Sequence, residues 1–134
     1  MKVDHIGIAT TSIKDAAAFW SRALGAEISE PEEVTDQSVR VVMLPVGESR
    51  IELLEPTNDS SPVAKFLERR GPGIHHVALR VPDIRVALDE LQASGARLID
   101  AEPRRGADGC LIAFIHPSAT GGVLVELVEH VKQE

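Results

Sequence analysis

Two histidines and two glutamates recur in the same order along this chain: His5 in VDHIGIA and Glu52 in IELLE, then His76 in IHHVALR and Glu126 in VELVE. Imidazole and carboxylate together, with no thiolate, suit a divalent ion of borderline or moderately hard character such as Zn, Co, Ni, Mn or Fe(II). The two carboxylates would balance the ion's charge. Coordination positions would stay open for water or substrate oxygens, as in a catalytic rather than a closed structural centre. Singly, a strand histidine is more often a hydrogen-bonded structural residue, and a glutamate in VELVE more often faces water. Their matched recurrence favours the reading in which His5, Glu52, His76 and Glu126 form a single divalent-metal site.

The recurrence belongs to a longer internal repeat. VDHIGIATTSIKDAAAFWSRALGAEI aligns with IHHVALRVPDIRVALDELQASGARLI, VRVVMLP with LIAFIHP so that Pro45 meets Pro117, and IELLE with VELVE. His76 follows His5 by 71 positions and Glu126 follows Glu52 by 74, so the offset drifts little.

Each copy reads as a strand, an amphipathic helix and three more strands. Strand 2–9 precedes a helix over 13–24, with Ser12 and Asp15 as a capping-box-like start and Gly25 as its stop. Strands are expected near 26–34, 38–45 and 49–55. Ser61 and Pro62 open a linker helix that Gly71 closes, Pro standing where its missing N–H costs nothing. The second copy predicts strand 74–81, a helix over 84–94 between Asp83 and Gly95, and strands near 96–102, 110–116 and 122–129. The chain thus reads as one α+β domain over 1–134, with repeat units 2–55 and 74–129 joined by a helical linker over 56–73. Such a duplication is expected to pair about a pseudo-twofold axis, with curved sheets around a shared metal cleft. Because strand side chains alternate, His5 shares a face with Gly7 and Ala9, and His76 with Ala78 and Arg80, small residues that leave room above the imidazoles.

Other reactive side chains receive structural readings. His75 must point away from His76 and is expected to pack or cap. His116, before a Gly-rich turn, is weighed as a cleft-mouth residue against a structural one. Cys110 is expected to be a small core or rim residue. Arg69, Arg70, Arg104 and Arg105 lie beside turns where they could meet an anionic ligand, although solvated surface arginines are commoner.

Composition narrows the function classes. A 134-residue chain can build a core without staples, and with three Phe, one Trp and no Tyr that core must be aliphatic. A net charge of −7 argues against nucleic acid as a partner. One cysteine excludes an intrachain disulfide. MKVDHIGIAT lacks the apolar core of a secretory signal, and no run of about 18 apolar residues is present to span a membrane. A soluble, cytoplasmic protein is expected.

With these residues in hand, the sequence resembles the vicinal oxygen chelate superfamily and, within it, the methylmalonyl-CoA epimerase family. The resemblance runs from DHIGIA through VRVVMLPVGESRIELLEP, SPVAKFLERRGPGIHHVALRV and RLIDAEP to FIHPSATGGVLVELVE. It implies the paired-βαβββ glyoxalase fold, a homodimer, cobalt as the ion, and His5, Glu52, His76 and Glu126 as its ligands. It also implies methylmalonyl-CoA as substrate, epimerised at carbon 2 by proton transfer through an enediolate, with Glu126 as one acid/base. Some members carry a second glutamate four residues beyond a Gln; counting from Gln37 in TDQSVRVVM reaches Val41 instead. Glu52, a water on the ion, or Gln37 holding that water are the alternatives for this role. Rival readings are a glyoxalase I-type lactoylglutathione lyase using the same four ligands, an extradiol dioxygenase for which Glu52 would be superfluous, and a metal-free small-molecule binding protein.

Overall fold

The computed structural model describes residues 1–131. These form two compact units, one spanning His5–His75 and the other combining Met1–Asp4 with the chain from His76 onward. Each unit carries the expected βαβββ order.

In the first unit, strand β1 (Lys2–Ala9), which enters it at His5, leads to helix α1 (Ile13–Leu24), then β2 (Glu32–Val34), β3 (Val39–Val46), β4 (Ser49–Pro56) and the linker helix α2 (Pro62–Arg70). Its strands run in the order β2-β3-β4-β1, the β1–β4 pair parallel and the others antiparallel. Ser12 Oγ accepts the Asp15 N–H at 3.2 Å, and Gly25 ends α1 in the left-handed region at φ 65°. Beneath the helix, Ile13, Val42, Leu44 and Leu53 form the buried core, against which Ala16, Ala17 and Trp20 pack.

The second unit contains β5 (Gly73–Arg80), α3 (Ile84–Ala93), β6 (Arg104–Arg105), β7 (Leu111–Ile115) and β8 (Val125–Glu129). The strand order β5-β8-β7-β6 reproduces that of the first unit, with β5–β8 parallel. Asp83 Oδ1 accepts the Arg85 and Val86 N–H groups at 3.1 and 3.2 Å to start α3. Ile84, Leu88, Ala113, Ile115 and Leu127 form the matching core.

Two expected strands are mostly absent. Of 26–34, only Glu32–Val34 is strand. Ser29 interrupts the ladder: its Oγ accepts the Met43 N–H at 2.8 Å in place of a carbonyl, and Pro31 has no N–H to give. Of 96–102, only an isolated bridge between Leu98 and Ile115 forms. There the Asp100 side chain takes the Phe114 N–H at 2.9 Å, while the Ile99 and Asp100 N–H groups share the Phe114 carbonyl. Pairing resumes only at Arg104.

The repeat also has a different register from the sequence alignment. Met43 lies opposite Glu52, and Phe114 lies opposite Glu126. Phe114 is therefore the counterpart of Met43, and Pro45 corresponds to His116 rather than Pro117. The prolines look alike in sequence, but a one-residue slip would turn every side chain of the strand to the wrong face.

Candidate metal centre

The glutamates of IELLE and VELVE are placed by strand parity. In the first unit, Gly7 is registered with Glu52, and Glu52 with Met43; His5, two residues before Gly7, is registered with Arg50. Registered side chains on adjacent strands share a face, so His5, Gly7, Glu52, Val41 and Met43 lie on the side away from α1. In the second unit, Ala78 is registered with Glu126, and Glu126 with Phe114, which puts His76, Ala78, Glu126 and Phe114 on one face.

Each histidine meets its own unit's glutamate. His5 Nδ1 lies 3.4 Å from Glu52 Oε2, with side-chain exposures of 5% and 7%. His76 Nε2 lies 3.3 Å from Glu126 Oε2, with exposures of 5% and 6%. A charge-assisted hydrogen bond would close to about 2.7–2.9 Å. Metal–ligand bonds of about 2.1 Å meeting at about 90–110° put two donors of one ion about 3.0–3.4 Å apart. Both pairs have the second spacing, and buried carboxylates need a cation or strong donors to offset their lost hydration. The donor set fits a divalent ion. His5 with Glu52 in the first unit, and His76 with Glu126 in the second, are each a buried imidazole–carboxylate couple that could contribute to holding one.

The surroundings differ between the pairs. Around Glu126, the residues Ala78, Cys110, Ile112, Phe114 and Val128 form a buried apolar cluster on the ligand face, with the Phe114 ring edge-on to His76 at 5.8 Å between centroids. Cys110 is the small core residue expected of it. On the Glu52 side, Val41 lies on the ligand face and is buried, while Gln37 sits in the 3-10 turn before β3.

The remaining histidines are structural. His75 stands edge-on to Phe66 of α2 at 5.1 Å, the packing role expected for it. His116 caps the turn Pro117–Ala119, its Nδ1 accepting the Ser118 N–H at 3.0 Å.

Sequence reasoning missed two groups. Asp4 is fully buried, and its Oδ1 meets Arg80 Nη2 at 2.9 Å, Arg80 Nε at 3.0 Å and His130 Nε2 at 2.6 Å. Glu55 and Glu129, the second glutamates of IELLE and VELVE, accept the first helical N–H of α1 and α3, from Ile13 at 3.0 Å and Ile84 at 2.9 Å. The signal was present in the spacing, because residues three apart in a strand leave opposite faces.

Residues 4–114 match the model of the glyoxalase/bleomycin resistance protein/dioxygenase superfamily. The chain belongs to this superfamily. An uncharacterized Bacillus subtilis protein, YqjC, is 45% identical over 96% of this chain and 91% of its own length. The ethylmalonyl-CoA/methylmalonyl-CoA epimerase of Cereibacter sphaeroides is 40% identical over 94% of this chain and 96% of its own. Among solved structures, a Streptomyces coelicolor methylmalonyl-CoA epimerase variant in complex with 2-nitronate-propionyl-CoA superposes with a TM-score of 0.95 at 36% identity, over 100% of this chain and 97% of that one. The βαβββ units are those of the glyoxalase fold.

Proposed function

We infer that the chain is an isomerase, a methylmalonyl-CoA epimerase that inverts carbon 2 of its substrate. The observation that carries this reading is the pair of buried His–Glu couples, one in each copy of the repeat, each with its own two donor atoms at the spacing of ligands to an ion. The epimerases among its relatives supply the substrate. In this reading His5, Glu52, His76 and Glu126 hold one divalent ion; family resemblance favours cobalt over zinc, manganese, nickel or iron. When bound, the ion supplies Lewis-acid stabilisation of the negative charge that develops as the α-proton leaves, worth several kcal/mol.

The chain's own residues supply the rest. The Glu126 carboxylate takes the α-proton from one face of the substrate in one direction of the reaction and delivers a proton to that face in the other, a general acid/base contribution of about 10²–10⁴-fold, while a second group serves the opposite face. Ala78, Ile112, Phe114 and Val128 keep water from that carboxylate. Val41, buried on the same face of β3 as Glu52 is on β4, cannot carry a proton; the candidates for the second transfer are Glu52, a water on the ion, or such a water held by Gln37. We extend the reading to a homodimer on the family resemblance, and to the cytoplasm on the lone, buried thiol of Cys110.

The test is isotopic. One epimer of methylmalonyl-CoA incubated in deuterated water with the metal-loaded protein should gain deuterium at carbon 2 as it converts to the other. Turnover of the methylglyoxal–glutathione adduct without exchange at carbon 2 would overturn the assignment in favour of a lactoylglutathione lyase.

A further inference from the structure

The two copies diverge in charge at one equivalent position. On the edge strand of the first unit, Glu32 is registered with Val41; on that of the second, Arg104 is registered with Ile112. Val41 and Ile112 are counterparts, since they face Leu54 and Val128, which the repeat makes equivalent. A glutamate in one copy is thus an arginine in the other, on the face that carries the metal ligands.

Arg104 is built into that face. Its guanidinium carbon lies 5.8 Å from the centroid of the Phe114 ring, within cation–π range, and the same ring stands edge-on to His76 at 5.8 Å. One aromatic ring therefore links the guanidinium to a metal ligand. Asp100 Oδ1 lies 3.3 Å from Arg104 Nε, and Asp100 Oδ2 accepts the Phe114 N–H, so the acid that steadies Arg104 is itself tied to β7. Arg104 Nε is buried and, beyond its ion pair with Asp100, makes no hydrogen bond among the described residues, while the side chain as a whole is 37% exposed. Its neighbour is differently occupied: Arg105 Nη1 donates to the Gly109 carbonyl at 3.0 Å. Gly106 holds the turn close to β7, since a Cβ there would lie 2.7 Å from Ile112 Cγ2.

A planar fork of five N–H donors, one aromatic ring removed from His76 and on the face that carries it, is suited to paired anionic oxygens. We propose that Arg104 binds the free carboxylate of the acyl thioester and so makes the site selective for α-carboxylated acyl groups. This rests on the reading of the substrate above. Arg104 does not ligate the ion; it holds the end of the substrate that an uncharged acyl thioester lacks.

The coenzyme's phosphates offer the same oxygen chemistry, and the experiment separates the two sources. Dissociation constants of malonyl-CoA and propionyl-CoA are measured for the metal-loaded protein and for Arg104→Gln and Arg104→Lys, with metal content determined in parallel. The wild type should prefer malonyl-CoA, and Arg104→Gln should reduce that preference about 10- to 100-fold, leaving propionyl-CoA binding and metal content unchanged. Arg104→Lys, which keeps the charge but loses the fork, should fall between them. Equal weakening of both ligands would assign Arg104 to a phosphate and overturn the proposal, as would an unchanged preference in Arg104→Gln. A wild type that does not distinguish the two ligands would instead overturn the substrate reading on which the proposal stands.

Discussion

Glu52 and Glu55 stand three residues apart in one strand and serve its two faces: Glu52 Oε2 lies 3.4 Å from His5 Nδ1, while Glu55 Oε1 accepts the N–H of Ile13 at 3.0 Å. VELVE repeats the arrangement with Glu126 beside His76 and Glu129 on Ile84. A single five-residue motif thus ties the histidine-bearing face to the start of the helix behind it.

This division of labour predicts opposite phenotypes. Glu129→Ala should lower stability by about 1 kcal/mol through loss of a helix cap and leave metal content intact. Glu55→Ala should cost somewhat more, because Glu55 Oε2 also accepts from Arg40 Nη1 at 2.7 Å. Glu52→Ala and Glu126→Ala should lose metal. Urea unfolding with metal analysis of all four variants separates the roles, and loss of metal in Glu129→Ala would contradict the assignment.

Asp4 is a second test of buried charge. With Arg80 and His130 both on its Oδ1, Asp4→Ala should destabilise the protein by about 3 kcal/mol, the lower end of the range for breaking a buried pair, because both partners are about one-third exposed and can regain water. Denaturant unfolding measures it. A change below about 0.5 kcal/mol, the level of an ordinary surface substitution, would show that the cluster contributes nothing net.

Gly106→Ala should cost about 1–3 kcal/mol by overpacking against Ile112, which is 3% exposed and has little room to yield. Trimming the obstruction in the double variant with Ile112→Val should cost less than the sum of the two single changes. Strict additivity in thermal unfolding would place the strain elsewhere.

Removing divalent ions with a chelator should lower the melting temperature and abolish proton exchange. Adding an ion back should raise the melting temperature progressively with its concentration, as linkage requires of a ligand that binds only the folded state. A melting temperature indifferent to metal would contradict a resident ion.

Much of this organisation was legible in the sequence because strand parity and helix caps are local. The paired His and Glu motifs, Ser12, Asp83 and Gly25, and the face shared by His5 and Gly7 all follow from spacing alone. What escaped depends on partners distant in the chain. Ser29 and Asp100 replace ladder bonds with their side chains, which hydrophobic pattern does not record. Asp4 alternates with His5 along the strand, and nothing near it in the chain marks Arg80 and His130, 76 and 126 residues on, as its partners. The proline alignment misled because register is decided by pairing, and Met43 and Phe114 are fixed by the glutamates opposite them.

The most direct measurement of the central claim is the metal stoichiometry of the purified, reconstituted chain and of its His5→Ala, Glu52→Ala, His76→Ala and Glu126→Ala variants. One ion per chain, with affinity lost in each of the four, is the expected result. Two ions per chain, or a variant in either pair that keeps its full metal content and affinity, would contradict a single centre built from both copies of the repeat.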